Sequence, residues 1–235
     1  MKENCPTTAA IILAAGIGSR MGMRETKQTL DILGKSVLRR TLEAFDAADT
    51  VSSIIVVTRE EEHNFVNKEC HGLLKPFTLV NGGFCRAESS ALGFSAVSDK
   101  VEYVLIHDGA RCLVTAEEIN KVAYAMYEYG AATASRPITD TIKKCTPDGR
   151  VCETVDRENL KSVATPQGFR TDIYKRAIES VPELTSDITD DNMLAEKIGI
   201  YPYCVETLPT NIKITAPSDI ELAEYIITKR ERGKV

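Results

Sequence analysis

The hydrophobic positions of this chain follow two alternating patterns. Short runs rich in β-branched and other apolar residues indicate strands that are buried on both faces, as in a parallel sheet. Between these runs, apolar residues recur every three or four positions, which indicates helices with one apolar face. The predicted strands are Ala9–Leu13, Ser53–Val57, Phe77–Val80 and Tyr103–Ile106, and the predicted helices are Val37–Ala47, Glu61–Cys70, Ala87–Val97 and Ala116–Tyr129.

The order of these elements predicts the architecture. Strands that alternate with helices indicate a doubly wound α/β fold, in which helices cover both faces of a mostly parallel sheet. The start of the last of these helices is also indicated, because Thr115 is followed three residues later by Glu118, the pattern of a capping box.

The pattern changes after Ala131. Ala131–Arg136 predicts another strand, and two alternating runs, Ile138–Cys145 and Arg150–Val155, then flank Pro147-Asp148-Gly149, a strong indication of a β-hairpin. Because two strands alone are marginally stable, we expect this hairpin to pack on the rest of the chain or, as an arm, on a second copy. Further helices are predicted at Arg170–Ser180, Asp190–Ile198 and Ser218–Lys229, and strands near Tyr201–Val205 and Ile212–Ile214.

Composition and charge narrow the class of protein. The 235 residues include 29 Lys and Arg against 34 Asp and Glu, a net charge of −5. Since no repeat, low-complexity tract or linker divides the chain, we expect one domain over residues 1–235. The mild negative charge without a basic tract argues against binding of nucleic acid, although a local cluster of cations can still bind a small anion.

The cysteines and the apolar runs predict a compartment. Seven cysteines, scattered and without a Cys-x-x-Cys pair, argue against a zinc ribbon or a disulfide framework. The longest apolar run, Ala9–Ala15, falls far short of the roughly 20 residues that a membrane helix needs. Met1–Thr8 lacks the apolar region of a signal peptide. We therefore expect free thiols, no membrane association and a cytoplasmic protein.

The strongest chemical indication follows the first strand, where the chain reads Ala14-Ala15-Gly16-Ile17-Gly18-Ser19-Arg20-Met21-Gly22 and then Lys27-Gln28. A glycine-rich turn at this end of a first strand lets backbone N–H groups approach a phosphate. Two cations beside it, Arg20 and Lys27, suit a triphosphate whose charge must be neutralised. The simpler alternatives are a tight strand-to-helix turn and two solvated surface cations.

Two well-known nucleotide-binding motifs are excluded by single positions. The dinucleotide fingerprint requires glycine where Met21 stands, and no acidic residue ends the second strand near Val57. Leu33-Gly34-Lys35-Ser36 resembles the end of a P-loop, but Thr29 occupies the position of its first glycine. An NAD-dependent oxidoreductase is therefore disfavoured, and a catalytically silent nucleotide-binding protein would not need the clustered cations.

A series of further motifs resembles the sugar-phosphate nucleotidyltransferases and, among them, the 2-C-methyl-D-erythritol 4-phosphate cytidylyltransferase family. The resemblance implies a Rossmann-like fold and transfer of CMP from CTP to the polyol phosphate with release of pyrophosphate, a step of non-mevalonate isoprenoid biosynthesis. It also implies a homodimer in which an arm, here about residues 137–165, reaches the partner's active site. The motifs are Gly82-Gly83 with Arg86 and Ser89-Ser90, His107-Asp108-Gly109-Ala110-Arg111, Asp140-Thr141, Val155-Asp156-Arg157, Ala164-Thr165-Pro166-Gln167 with Phe169, Thr189-Asp190-Asp191 and Asn211-Ile212-Lys213-Ile214-Thr215.

The resemblance implies roles for the matching positions. Arg20 and Lys27 match residues that stabilise the transition state, and Arg157 and Lys213 match residues that position the acceptor phosphate. Asp108 matches a residue near nucleotide, acceptor and metal together. The other implied nucleotide-binding residues are Ala14, Ala15, Gly16, Gly18, Gly82, Gly83 and Ser89, and the other acceptor-binding residues are Arg111, Thr141, Thr165 and Thr189.

Elementary chemistry agrees with this reaction. A phosphate monoester has a second pKa of about 6 and is already largely a dianionic nucleophile near neutrality. Catalysis must then cancel the repulsion between two polyanions and align them. Mg²⁺ is the expected cofactor, because it binds phosphate oxygens together with one or two carboxylates. We expect five cations to converge on one cleft: Arg20, Lys27, Arg111, Arg157 and Lys213.

Several positions depart from the usual pattern of the family, among them Asp191-Asn192-Met193, where small residues are commoner. Thr26 replaces the proline before Lys27, which predicts a less constrained loop. Gly109 and Cys112 replace Ala and Pro on either side of Arg111, which predicts a freer backbone there. These departures leave ribitol 5-phosphate open as an alternative acceptor.

Two other features have structural interpretations. His107 has no companion suited to binding a metal, so we expect a structural role at the end of its strand. Thr189 is the predicted N-cap of the following helix, and Asp190 and Asp191 would complement the helix dipole.

Overall fold

The computed structural model describes residues 5–16 and 26–233. Its strands are β1 (Thr8–Leu13), β2 (Asp31–Ile32), β3 (Lys35–Ser36), β4 (Ser53–Thr58), β5 (Phe77–Asn81), β6 (Tyr103–Asp108), β7 (Ala131–Pro137), β8 (Ile142–Cys145), β9 (Val151–Val155), β10 (Lys161–Arg170) and β11 (Tyr203–Glu206). Its helices are α1 (Val37–Ala47), α2 (His63–Cys70), α3 (Arg86–Ser95), α4 (Ala116–Tyr129), α5 (Thr171–Glu179), α6 (Asn192–Lys197) and α7 (Pro217–Glu231).

Seven strands form the central sheet, in the order β11-β7-β10-β6-β1-β4-β5. All neighbours are parallel except around β10, which runs antiparallel to both β6 and β7. Alternation along β1 sends Ala10 and Ile12 into the core cluster beneath α1 and α4, and Ile11 and Leu13 into the cluster beneath α3 and α5. The predicted doubly wound, mostly parallel α/β fold is therefore confirmed.

The sequence patterns located most elements, and α1 and α4 have the predicted bounds. The capping box at Thr115 and Glu118 is present. Two predictions were wrong. The run at Phe77–Val80 is not buried on both faces, because β5 lies at the sheet edge and Phe77 is exposed. Ile212–Ile214 is not a strand, because its backbone bonds to loops instead of to a neighbouring strand.

Strand β10 escaped the sequence analysis although it lies inside the sheet. Its register shifts between Val163 and Gln167, where it pairs with β7, and the shift encloses Pro166. Lys161 and Ser162, which begin the strand, are exposed, and only the second half is buried. A strand that changes from exposed to buried and contains a proline lacks both the alternating and the continuous apolar pattern.

The predicted hairpin is present as a separate two-stranded sheet of β8 and β9, with Ile142 opposite Val155. Its first strand begins four residues later than predicted. Gly149 in the turn has φ +88°, a conformation that favours glycine. Most hairpin residues are exposed, with Ile142 and Val155 only half-buried. Packing against a second copy stays a prediction.

Two further observations concern the chain as a whole. None of the seven cysteines is in a disulfide, and Cys70 and Cys112 are buried. In the described ranges, 5–16 and 26–233, every helix is too short or too polar to cross a membrane.

Candidate active site

Two adjoining cavities open where the parallel strands β1, β4, β5 and β6 end. The larger, about 520 Å³, is lined by the turns that follow β1 and β5 and by Lys27. The smaller, about 210 Å³, is lined by residues of β10 and of the segment before α6. Arg86, Asp108 and Lys213 line both cavities and therefore form their common wall. The carboxyl edge of an open parallel sheet is the usual ligand-binding edge of such folds.

Close approach of two turns forms one wall of the larger cavity. The N–H of Ala14 donates to Val57 O (2.7 Å), and the N–H of Gly82 donates to Thr58 O (2.9 Å). A Cβ on Gly82 would lie 2.4 Å from Cβ of Ala15, so only glycine permits this approach. Besides Asp108, five predicted nucleotide-binding residues line the cavity: Ala15, Gly16, Gly82, Gly83 and Ser89. Ala14 is buried directly beneath them, and Gly18 lies outside the described residues.

Asp108, at the end of β6, is the centre of the shared wall. Its Oδ1 accepts from Arg86 Nε (3.2 Å), and its Oδ2 contacts Lys213 Nζ (3.0 Å) and Arg111 Nε (3.2 Å). Burial alone would raise the pKa of Asp108, but the charges of Arg86, Lys213 and Arg111 outweigh it and hold the pKa well below its usual range. One of the three cations, Arg86, also pairs with the buried Asp191, so the three positive charges exceed the two carboxylates by one.

The loop before α7 brings Lys213 to Asp108. Ile214 N–H donates to Ala110 O (2.8 Å), and Asn211 Nδ2 donates to Thr165 O (3.0 Å). Arg111 Nη1 in turn donates to Asn211 O (3.1 Å). These bonds fix the segment on either side of Lys213 across the end of β6, and they replace the strand pairing that the sequence predicted there.

The buried side chain of His107 stabilises the end of β6 through hydrogen bonds. The ring is fully buried, which lowers its pKa to about 3, so the imidazole is neutral. Thr165 Oγ1 lies 3.0 Å from Nδ1, and Nε2 lies 3.3 Å from Arg111 O. The N–H of Asp108 donates to the same Thr165 oxygen (3.1 Å). His107 and Thr165 thus hold the backbone on both sides of Asp108, in keeping with the structural role expected for His107.

The smaller cavity contains four of the predicted acceptor-binding side chains besides Asp108: Arg111, Thr165, Thr189 and Lys213. Thr189 is not the N-cap of α6, because Asp191 occupies that position. Thr189 Oγ1 contacts Met193 Sδ (3.3 Å), while Asp190 Oδ1 accepts from Met193 N–H (3.1 Å). The predicted cap was wrong because Asp190 already satisfies the first turn of α6.

Lys27 is buried in the wall of the larger cavity, in a short 3₁₀ turn over Lys27–Thr29. Thr26 Oγ1 donates to Glu62 Oε1 (2.7 Å), which fastens the start of this turn to the segment after β4. The loosening that the sequence predicted from Thr26 is therefore offset by a hydrogen bond. Arg20 lies outside the described residues.

Arg157 and Thr141 do not join the site of their own chain. Both are exposed and lie in the hairpin region, and neither lines either cavity. Arg157 Nη1 donates to Thr139 O within the same region. The predicted convergence therefore holds for Lys27, Arg111 and Lys213 and fails for Arg157 within a single chain.

Arg86 and Asp191 are the residues to which sequence reasoning gave no place in the site. Arg86 begins α3 and reaches both Asp108 and the buried Asp191. Burial would lower the pKa of Arg86, but Asp191 and Asp108 raise it above its usual value. An arginine at the helix start after the Gly82-Gly83 turn was the available signal.

The donor set can be tested for a divalent cation. In the described part of the chain no three His, Cys, Asp or Glu side chains gather as a metal site. Asp108 alone offers a carboxylate between the two cavities. This suits Mg²⁺, which commonly takes one or two protein carboxylates and completes its shell with substrate phosphates and water.

Comparison with known proteins gives one family throughout. The family model described as 2-C-methyl-D-erythritol 4-phosphate cytidylyltransferase matches residues 8–229. A curated protein of that name from Thermosynechococcus vestitus is 40% identical over 222 residues, 94% of this chain and 95% of the relative. Another, from Alkaliphilus oremlandii, is 37% identical over 235 residues, 99% of this chain and 100% of the relative.

Solved structures show the same likeness. The crystal structure of 4-diphosphocytidyl-2C-methyl-D-erythritol synthase from Anaerococcus prevotii has a TM-score of 0.83 and 26% identity, covering 96% of this chain and 100% of that one. The 2-C-methyl-D-erythritol 4-phosphate cytidylyltransferase of Francisella tularensis has a TM-score of 0.78 and 27% identity, covering 93% and 99%.

Proposed function

We propose a mechanism for this chain, which belongs to the 2-C-methyl-D-erythritol 4-phosphate cytidylyltransferase family and is a nucleotidyltransferase of the non-mevalonate isoprenoid pathway. In this mechanism its residues transfer CMP from CTP to 2-C-methyl-D-erythritol 4-phosphate. CTP occupies the larger cavity and the acceptor phosphate the smaller one. An acceptor phosphate oxygen forms a bond to the α-phosphorus of CTP, the bond from that phosphorus to the β-phosphate oxygen breaks, and pyrophosphate leaves.

The observation that carries this proposal is the shared wall. Arg86, Asp108 and Lys213 lie between the space with the glycine-rich turns and the space with the acceptor-binding side chains, and Arg111 contacts Asp108 from the smaller cavity. A dianionic phosphate and a triphosphate can meet only where positive charge offsets their repulsion, and fixed cations in a partly buried wall do so without reorganising.

The other cations complete the charge balance. Lys27 lines the larger cavity and, with Arg20, stabilises the charge that develops on the phosphoryl oxygens and on pyrophosphate. Lys213 belongs to both cavities and positions the acceptor phosphate. Asp108 is the residue that would hold Mg²⁺, which would supply charge neutralisation at the triphosphate.

Arg157 and Thr141 act in the active site of a second copy. Both residues are exposed and flank a hairpin that builds no core of its own, and neither lines the two cavities. A homodimer whose arm, about residues 137–165, crosses to the partner reconciles these facts. Seven free cysteines suit the reducing conditions of a cytoplasmic enzyme.

The test is a coupled assay of pyrophosphate release. The protein is incubated with CTP, Mg²⁺ and either 2-C-methyl-D-erythritol 4-phosphate or ribitol 5-phosphate, with ATP in place of CTP and omission of Mg²⁺ as controls. We expect release with CTP and the methylerythritol acceptor, and little without the metal. Release with the ribitol acceptor alone would contradict the assigned acceptor, and release with neither would contradict the proposed chemistry.

A further inference from the structure

Arg86 spans the distance between the site and a buried carboxylate. Its Nε donates to Asp108 Oδ1 (3.2 Å), and its Nη1 donates to Asp191 Oδ2 (2.7 Å). Its Nη2 is buried and has no hydrogen-bond partner among the described residues. One guanidinium thus joins Asp108, on the wall of both cavities, to a group that lines neither of them.

Asp191 is itself fixed by hydrogen bonds to residues other than Arg86. The residue is 1% exposed, and its Oδ1 accepts from both Tyr174 OH (2.6 Å) and Ser90 Oγ (2.8 Å). Its backbone N–H donates to Gln167 Oε1 (2.8 Å). Donors from α3 and α5 hold the carboxylate and an acceptor from β10 holds the backbone, so three elements fix the position of Asp191.

Folding stability alone does not explain the buried ion pair of Arg86 and Asp191. Removing a carboxylate and a guanidinium from water is costly, and well-packed apolar side chains in the place of a buried ion pair often give equal or greater stability. What the hydrogen bonds of a buried polar network do provide is a defined orientation of the groups that make them. Arginine has a long side chain with many rotamers, and one orientation matters where its other end meets the reacting groups.

We propose that Asp191 is a positioning residue for the transfer reaction: with Tyr174 and Ser90 it fixes Arg86, and Arg86 in turn fixes Asp108 and presents its charge where nucleotide and acceptor meet. The inference rests on the proposed function. Without Asp191, Arg86 retains its charge but can swing toward Asp108 or the ligand phosphates, so the site keeps its cations and loses their alignment. Arg86 itself touches both cavities, whereas Asp191 acts only through it.

The test is a double-mutant cycle on Asp191 and Arg86. We expect Arg86→Ala to lower kcat/KM about 100-fold and Asp191→Asn about 10-fold. If Asp191 acts through Arg86, adding Asp191→Asn to Arg86→Ala lowers kcat/KM no further, to within about 2-fold. Multiplication of the two effects to about 1,000-fold would overturn the positioning role.

A milder pair of variants covers the case in which Asp191→Asn fails to fold. Tyr174→Phe removes one hydroxyl donor to Asp191 and should lower kcat about 3-fold to 5-fold, and this loss should vanish in the Arg86→Ala background. Tyr127→Phe is the matched control, because its hydroxyl bonds Thr8 (2.7 Å) at the opposite end of β1. We expect Tyr127→Phe to leave kcat unchanged. Equal losses in both tyrosine variants, or a loss at Tyr174 that persists without Arg86, would contradict the proposal.

Binding separates this inference from the proposed function. The same cycle is measured on the Kd for CTP by calorimetry, since Arg86 lines the larger cavity. An unmodified chain that binds CTP but releases no pyrophosphate would contradict the proposed function, while the cycle on Kd would still decide whether Asp191 acts through Arg86. If the effects of Asp191→Asn and Arg86→Ala on the Kd for CTP multiply in the double variant, the positioning role of Asp191 is contradicted.

Discussion

The wall around Asp108 and the hairpin of β8 and β9 both carry charged residues, but they differ in how far those residues are buried and bonded. Around Asp108, bonds from Arg86, Arg111 and Lys213 converge on one carboxylate that is 7% exposed. On the hairpin side, Arg157 is exposed and meets only a nearby backbone oxygen among the contacts described for it. One region is organised by its own chain, and the other has charge without an assembled site.

This contrast shows how the proposed catalytic residues are divided between elements. Side chains at strand ends are fixed by the sheet itself, because parallel neighbours bring those ends to one edge. A two-stranded hairpin lacks a core that could fix anything. Its cation can become ordered only by docking elsewhere, and the proposed partner's site is where a further cation for the acceptor phosphate is needed. The predictions below test each side of this division.

Lys27→Ala should give the largest loss. Lys27 is buried in the wall of the larger cavity, where its charge is little screened by water. We expect kcat to fall about 1,000-fold, which corresponds to about 4 kcal/mol of transition-state stabilisation, with little change in the unfolding temperature. Pyrophosphate release measures the rate, and circular dichroism follows unfolding.

Lys35→Ala is the control for that substitution. Lys35 follows Lys27 closely in the chain, but its side chain is 47% exposed and pairs with Glu43 on the surface (2.7 Å). Such a pair contributes little to stability, and we expect kcat to stay within about 2-fold of the unmodified protein. A Lys27→Ala protein with nearly full kcat would refute its role in catalysis.

Arg157→Ala tests the hairpin side, with an expected loss of about 100-fold in kcat/KM and no loss of stability, because Arg157 is exposed. The decisive measurement mixes Arg157→Ala chains with Lys27→Ala chains under conditions of subunit exchange. If Arg157 acts in the partner's site, each mixed dimer contains one site with both residues intact. Random mixing should therefore restore about a quarter of the unmodified activity.

Two observations would contradict the shared site. Mixing that restores nothing, although the chains exchange, would place Arg157 in the site of its own chain. A monomeric protein with full activity would exclude the shared site altogether. Mixing Arg157→Ala chains with themselves through the same exchange protocol controls for recovery caused by handling.

The sequence predicted the strands and the larger cavity better than the long-range contacts between the side chains of the site. Runs such as Ala9–Leu13 located the strands, and the glycines after β1 and β5 located the larger cavity, because both patterns are local in sequence. The partnership of Arg86 with Asp191 joins residues 105 positions apart, and no local spacing encodes it. Arg157 was identified by its motif, and its action in a second copy was implied by the resemblance alone, because no local spacing encodes a contact between two chains.

Thr26 is the third test and the smallest expected effect, because it concerns how firmly Lys27 is held. The hydroxyl of Thr26 donates to Glu62, whose carboxylate also pairs with Arg59 (2.8 Å), a residue of the larger cavity. Thr26→Ala removes this bond and leaves the charge of Lys27 untouched. We expect kcat/KM to fall about 5-fold, since one hydrogen bond contributes about 1 kcal/mol.

Thr26→Pro distinguishes the loss of restraint on the turn that carries Lys27 from the loss of the Thr26 hydroxyl itself. Thr26 has φ −79°, within the range that a proline ring imposes, so proline can restrain the turn without bonding to Glu62. If restraint is what matters, Thr26→Pro should recover most of the activity that Thr26→Ala loses, as measured by kcat/KM. Thr7→Ala serves as the control, because its hydroxyl bonds Lys100 O (2.9 Å) beyond the opposite end of β1 and should leave kcat/KM unchanged. A Thr26→Pro protein as slow as Thr26→Ala would mean that the bond to Glu62, and not the restraint of the turn, orients Lys27.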